Sequence, residues 1–304
     1  MKIRWTMFAL LLAVAALAVP QAGGRFGSRT QAATGVAGEL IHASFLAPQD
    51  DQDKDKDKHA SDHKDKHYSD DSEFTERDEF RQSYTLAPGA SVKLSGINGA
   101  VDVETAGGGA AEVHVVRTAR NKADLDYHKI IVEQTASGLV VRGEKNNNSD
   151  RDGDRRQVRQ RVTMRIPRNV DFTASGINGR ATVGEIEGPV RLSGINGRVD
   201  VAQARGYTDI SGINGSVTMF ISQLTERGVR VSGVNGRVEL KFGEALNADL
   251  SVSGINGAVH TDGLPNVTVQ GRISRQNFNA RIGAGGAPIT VSGVNGSVRL
   301  APRS

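Results

Sequence analysis

VRLSGINGRVDV at residues 190–201 and TDISGINGSVTM at 208–219 are two copies of one motif, and how such copies line up decides the fold. Ser-Gly-Ile/Val-Asn-Gly begins at Ser95, Ser175, Ser193, Ser211, Ser232, Ser253 and Ser292, and from Ser175 onward the spacings are 18, 18, 21, 21 and 39. The last spacing divides as 21 plus 18 and places a degenerate copy at Ser274, where Asn277 keeps the Asn position while Arg275, Gln276 and Phe278 replace Gly, Ile and Gly. Successive copies are therefore expected in register from Ser175 to Leu300, with Ser95 a lone outlier.

Read as columns, the copies become geometry. One residue before the Ser stand Leu94, Ala174, Leu192, Ile210, Val231, Val252, Ile273 and Val291, all apolar, and one residue earlier stand Lys93, Thr173, Arg191, Asp209, Arg230, Ser251, Arg272 and Thr290, all polar. Beyond the second Gly position, Val101, Ala181, Val199, Val217, Val238, Val259, Ala280 and Val298 form an apolar column, followed by Asp102, Thr182, Asp200, Thr218, Glu239, His260, Arg281 and Arg299. Alternation with period two on both sides of an Asn-Gly corner means two strands per repeat, one face in and one out. Asn-Gly also closes type I′ hairpins, but propeller blades of about 40–45 residues are twice as long as these units.

The expected fold class is thus all-β: a parallel β-solenoid of 18–21-residue coils with Asn-Gly corners, preceded by a less regular β region. Equivalent Ile/Val side chains would stack at about 4.8 Å along an axis of roughly 30 Å. Asn98, Asn178, Asn196, Asn214, Asn235, Asn256 and Asn295, with Asn277 of the degenerate copy, would form a ladder of amides. The repeated Gly would supply φ > 0 at a tight corner. These motif residues are read as structural, since each does the same job in its own coil.

Around the repeats the chain divides by composition. Residues 1–22 read as an export signal: Lys2 and Arg4 precede an apolar run from Met7 to Val19, and Ala16-Leu17-Ala18 offers small residues for cleavage. Retention of this segment as an anchor is the alternative, although the run is shorter than the roughly 20 residues of a spanning helix. Residues 23–79 lack hydrophobic periodicity and contain Asp53-Lys54-Asp55-Lys56-Asp57-Lys58, so they read as a disordered charged tether. Residues 80–170 read as an N-terminal β region with a mobile loop at 145–157, and 171–304 as the repeats. No amphipathic helix is expected. With no Cys there is no disulfide, lipid attachment or thiolate site. The formal charge is +4, but Asp50–Arg81 carries −6, leaving a mildly basic +10 for the rest.

The Gly-rich β repeat with Asn-Gly corners, behind a signal peptide and a less regular β region, resembles the bacterial toast-rack or putative-adhesin family of domain-of-unknown-function proteins. The resemblance covers about Phe80 to Leu300. It implies an extracytoplasmic β-solenoid, in some members linked to envelope stress, with no catalytic residues to carry over. This chain departs from that pattern in its charged tether and in having no partner transmembrane domain.

Chemistry-bearing clusters are few. His59, His63 and His67 share a spacing of four but sit in the tether, so no metal or other cofactor is assigned. Solenoid enzymes that cleave polysaccharides place carboxylates from neighbouring coils on one face, which singles out Asp200 and Glu239, two coils or roughly 9–10 Å apart. Nothing around them in the sequence is built to raise a carboxylate pKa, and a solvated face of mixed charge is the preferred reading. The outward Arg180, Arg198 and Arg237, with Arg155, Arg156, Arg159 and Arg161 beside them, are the candidate binding residues for an anionic partner. Nucleic acid is disfavoured because the chain reads as exported and lacks stacking aromatics. The expectation is a non-catalytic, adhesin-like binding or structural module of the cell envelope. It would recognise a polymer or partner protein through an extended β face, with possible peripheral membrane association. A polysaccharide-cleaving enzyme is the alternative.

Overall fold

The computed structural model divides the chain into two units, Met1–Asp65 and Lys66–Ser304. It describes residues 74–145, 157–261, 263, 267–270 and 277–303, all in the second unit. The expected signal, most of the tether, the three tether histidines, the segment 146–156, Arg155, Arg156 and Ser274–Gln276 lie outside the described residues.

The described chain is all-β and forms one open, branched sheet of eighteen strands with a single short helix. Three strands carry its middle: β10 (Val190–Ala204), β11 (Thr208–Ile221) and β12 (Val229–Phe242). Each is hydrogen-bonded before and after the motif, and both Gly of each motif have positive φ. They pair in parallel with equivalent residues opposed, so that Ser193, Ser211 and Ser232 form one row and Asn196, Asn214 and Asn235 another. The buried side chains are those of the apolar columns, Leu192, Ile195 and Val199 in β10 and their counterparts Ile210, Ile213 and Val217 in β11.

From this middle two wings extend on each side. Before the motif, β10 continues through β8 (Asp171–Asn178), β2 (Ser91–Ser95) and β6 (Gly138–Lys145) to β5 (His128–Thr135). After the motif it continues through β9 (Ala181–Ile186), β3 (Gly99–Ala106), β7 (Val158–Pro167) and β4 (Ala110–Ala119) to β1 (Glu76–Thr85). The outlier at Ser95 therefore joins the stack: it lies opposite Ser175, and the intervening chain builds the next strands of both wings. The sheet runs unbroken across residues 170 and 171.

Strand structure starts at Glu76, inside the stretch expected to be tether up to residue 79. The charged residues of β1 are tolerated because they sit at a sheet edge and pair across it. Arg81 contacts Glu112, Arg117 contacts Asp78, and Glu79 accepts from His114 at 2.8 Å. Such an edge also discourages pairing with other chains. The helix α1 (Lys122–Tyr127), which the sequence reading did not expect, carries the chain between wings and is capped by Asn121 Oδ1 accepting from the Asp124 amide at 2.9 Å.

The other end departs from the expected sequential order. β13 (Ala248–Asn256) and β14 (Val259–Thr261) do not follow β12 in space. Instead β17 (Ala287–Asn295) and β18 (Val298–Pro302) lie between them, placing Ser292 opposite both Ser232 and Ser253. The described end of the degenerate copy, Asn277-Phe278, does not join the parallel stack. β16 (Asn277–Ile282) runs antiparallel to β13, with Asn277 opposite Ser253, and pairs on its far side with β15 (Val267–Gln270). The physical reason is at the second Gly position, where this copy carries Phe278: a side chain there would meet the carbonyl oxygen of the neighbouring unit in the parallel stack.

What allows the parallel units to approach is the second Gly of each motif. Gly179, Gly197 and Gly215 have φ of 152°, 149° and 150°, a region that side chains rarely occupy. An added Cβ would lie 2.1, 2.0 and 2.0 Å from the carbonyl oxygen of the preceding Gly in the column. The Gly is thus required by the neighbouring backbone as well as by its own φ. Beside this column the Asn amides bond in sequence along the stack. Nδ2 of Asn178, Asn196, Asn214, Asn235, Asn295 and Asn256 donates to Oδ1 of Asn98, Asn178, Asn196, Asn214, Asn235 and Asn295, at 3.0–3.1 Å. At the Asn98 end the row closes on backbone and a buried side chain: Asn98 Nδ2 donates to the Val158 carbonyl and Gln160 Oε1 accepts from the Asn98 amide.

Replacing Gly215 by Ala should lower stability by about 3 kcal/mol or more, combining strain at φ > 0 with a backbone clash. Gly107→Ala, where the new methyl meets nothing within 4 Å, should change it by less than about 0.5 kcal/mol. Urea unfolding of both variants, followed by circular dichroism, checks the contrast.

Candidate functional site

The outward face of the wing formed by β7, β3, β9, β10, β11, β12, β18 and β14 carries the predicted arginines. Parallel register brings residues far apart in sequence into straight rows. One row reads Arg161, Ala100, Arg180, Arg198, Ser216, Arg237. Its four arginines are exposed and make no ion pair within 4 Å to a described residue. At about 4.8 Å per strand step the row spans roughly 24 Å.

The neighbouring row reads Thr163, Asp102, Thr182, Asp200, Thr218, Glu239, Arg299, His260. Carboxylates alternate with threonines, so adjacent carboxylates are two strand steps, or about 9.6 Å, apart. Strand pairing, not repulsion, fixes that interval. Partial burial raises the Asp200 pKa above the ordinary carboxylate value, while Arg198, Arg180 and a hydrogen bond with Thr218 pull the other way. This corrects the reading that nothing near Asp200 raises its pKa. The cause is the flanking side chains of neighbouring strands, which the sequence does not place beside it. Glu239 is instead approached by Arg299 at 4.0 Å.

The remaining candidates separate. Arg159 sits on the same strand as Arg161, but its guanidinium lies 4.0 Å from the centre of the Phe74 ring. Stacking there ties the start of the described chain to β7, and the register, which sets Arg161 opposite Ala100, leaves Arg159 outside the row. Among the described residues no group of three or more His, Asp or Glu side chains is placed to hold a metal ion.

A second feature was not visible in the sequence. Beyond Asn98 the two wings part, leaving a recess of about 700 Å³ floored by Gly96, Gly143 and Gly176 and lined by His128, Glu144 and Gln160. Gly143 belongs to no motif copy, yet it continues the Gly row because β6 pairs with β2. A Cβ on it would lie 2.0 Å from the Gly96 carbonyl oxygen. The available signal was a Gly inside a strand, flanked by Arg142 and Glu144 and following the apolar run Leu139-Val140-Val141.

No protein-family model and no curated protein matches the chain. Among solved structures it is similar to a putative cell adhesion protein from Clostridium sporogenes, at 10% identity and a TM-score of 0.40, over 74% of this chain and 100% of the other. A putative adhesin from Parabacteroides merdae matches at 12% identity and 0.26, over 74% and 96%. A putative lipid binding protein from Parabacteroides distasonis matches at 10% and 0.29, over 74% and 97%. The adhesins among them are proteins of the kind the repeat motif resembles. At TM-scores below 0.5 these likenesses carry neither the fold nor the function of this chain.

The raised Asp200 pKa has a defined sign for stability. The folded state holds this proton more tightly than the unfolded chain, so ionised Asp200 is a cost at neutral pH that disappears as pH falls through its pKa. Asp200→Asn should raise the melting temperature relative to the parent at pH 7 and lose that advantage at pH 3. Thermal melts at the two pH values check this, and a variant advantage that is larger at pH 3 would contradict it.

Proposed function

We propose that this chain is an exported, adhesin-like binding module in which the stacked units act as coils of a β-solenoid turned at the Asn-Gly motif. Its outward face recognises an anionic polymer of the cell envelope. The observation that carries this reading is the straight row Arg161, Arg180, Arg198 and Arg237, exposed and with no ion pair within 4 Å among the described residues, Arg180 and Arg198 acting on Asp200 only at longer range.

The physical argument is multivalency. An exposed guanidinium–carboxylate contact is worth only about 0.2–1 kcal/mol. Rigid strands hold these side chains along one line, so a polymer that engages the first meets the others without a new search. At physiological salt the screening length is about 8 Å, so each arginine feels its immediate neighbours and little beyond. Arg180 and Arg198, one strand step apart, lie inside that length and act together, while Arg161 and Arg237, each two steps from the nearer of them, should add almost independently. A flat, open face also suits an extended ligand better than a compact one.

A second reading rests on Asp200, whose raised pKa and two-step distance from Glu239 resemble the acid and base of an inverting glycosidase. The Arg299 contact on Glu239 and the threonine between the carboxylates favour binding over chemistry. Turnover of a polysaccharide panel that is lost in Asp200→Asn would reverse this preference.

Replacing Arg161, Arg180, Arg198 and Arg237 together by Ser should remove about 2 kcal/mol, near thirtyfold in affinity for alginate, a uronate polymer. Each single replacement should cost about two- to threefold. Calorimetric titration at low and high salt checks both values. Unchanged alginate binding by the folded quadruple variant would overturn the assignment.

A further inference from the structure

The stacked Asn-Gly corners share one motif, so a difference in their chemistry comes from their place in the stack. The amide row runs Asn98, Asn178, Asn196, Asn214, Asn235, Asn295, Asn256, and its two ends differ. Asn98 is held from outside the row, its Nδ2 donating to the Val158 carbonyl and its backbone amide to Gln160 Oε1. Asn256 has no unit beyond it. Its Nδ2 donates to Asn295 Oδ1 at 3.1 Å, while its own Oδ1 accepts from no described residue. The antiparallel partner of β13 gives no cover there, because β16 pairs with it only as far as Asn277 opposite Ser253.

The Gly that follows shows the same difference. In the stack the amide of the second Gly donates to the Asn carbonyl of the next unit, as from Gly179 to Asn196 at 2.9 Å and from Gly296 to Asn256 at 3.1 Å. Gly197, Gly215 and Gly236 lie inside the paired strands β10, β11 and β12, and Gly99 opens β3. Gly257 falls between β13 and β14, and among the described residues its amide has no acceptor. It is exposed where the other six are partly buried. Those six have φ between 146° and 152°, a conformation that Gly257 does not share.

We infer that Asn256-Gly257 is a site of spontaneous covalent modification, the corner at which this chain loses a side-chain amide to water. The Gly257 amide nitrogen gives its proton to solvent base and attacks Cγ of Asn256. A bond forms between that nitrogen and Cγ, closing a succinimide ring, and the bond from Cγ to Nδ2 breaks, so that Nδ2 takes a proton from solvent and leaves as ammonia. Water then opens the ring at one carbonyl or the other, giving aspartate or isoaspartate. Gly257 leaves the approach clear of a side chain. At an interior corner the same step must first break a backbone bond and side-chain amide bonds on both sides, which requires the stack to open locally. At Asn256 a single amide bond stands in the way.

Both products place a carboxylate at the exposed end of the amide row. Isoaspartate also lengthens the main chain by one methylene between β13 and β14, which takes Val259–Thr261 out of register with Val298–Leu300. The modification thus loosens the terminal unit and leaves the interior corners as they are. It does not depend on the ligand of the arginine row.

Incubating the folded full chain in mildly alkaline buffer made with heavy-oxygen water, and mapping its peptides by mass spectrometry, reads each corner separately. Asn256 should convert at least about tenfold faster than Asn178, Asn196, Asn214, Asn235 or Asn295, and its products should carry heavy oxygen. In urea the corners should react at similar rates. Asn256→Gln, whose longer side chain closes a ring far more slowly, should abolish the first acidic species on isoelectric focusing with circular dichroism unchanged. An interior corner that converts as fast as Asn256 in the folded protein would overturn the inference. So would an Asn256 that stays intact when folded while the unfolded chain reacts, or one that is equally favoured in urea, where its neighbours in sequence and not its place in the stack would be the cause.

Discussion

The structure depends on backbone meeting backbone at the second Gly of each motif. Parallel pairing fixes the distance between units at one strand spacing, and a chain that bends at φ near 150° points its α-carbon substituent along the stack. Only hydrogen fits there, because the next carbonyl oxygen lies about where a Cβ would be. Everything regular about the fold follows from keeping that column free: the rows of Ser and Asn, the buried Ile/Val, and the straight rows on the outer face. The Asn amides reinforce the register by bonding, from Asn178 to Asn256, to the equivalent residue of the adjacent unit. A slip of one residue would break this chain of bonds and turn the apolar columns outward.

The all-β class and the inward columns were legible because they are local. Leu192, Ile195 and Val199 declare themselves by alternation and by recurrence at 18 residues, and the same residues are buried. The spatial order of the units was not legible. Ser232, Ser253 and Ser292 carry the same motif, and nothing in their sequence says which two are neighbours. It goes with the degenerate segment, whose described end carries Phe278 in place of the second Gly and lies in β16, folded back antiparallel on β13. The remaining motif copy is then left to fill the gap. In the same way the Ser95 copy looked isolated only because the chain builds the next strands of both wings before returning to Ser175.

The candidate face shows a similar division. Arg180, Arg198 and Arg237 could be placed in one outward column from the repeat alone. Arg161 could not, since it joins the row only through β3 and β7, whose pairing crosses a long interval of sequence. Arg159, two residues away, is drawn instead to Phe74. The Asp200 environment is likewise a product of three strands that the repeat brings together. Function in such a protein is a property of rows, and a row is defined by neighbours in space. Substituting one member therefore changes little, while shifting one unit changes every row at once.

Distances between spin labels on the Ser row test the stacking order most directly. With Cys introduced at Ser175 and Ser292, and separately at Ser175 and Ser253, the account predicts separations of about 19 Å and about 24 Å, four and five strand steps. The label nearer in sequence should be the farther in space. A shorter distance for Ser253 than for Ser292, or values that do not advance by one strand spacing per step, would contradict it.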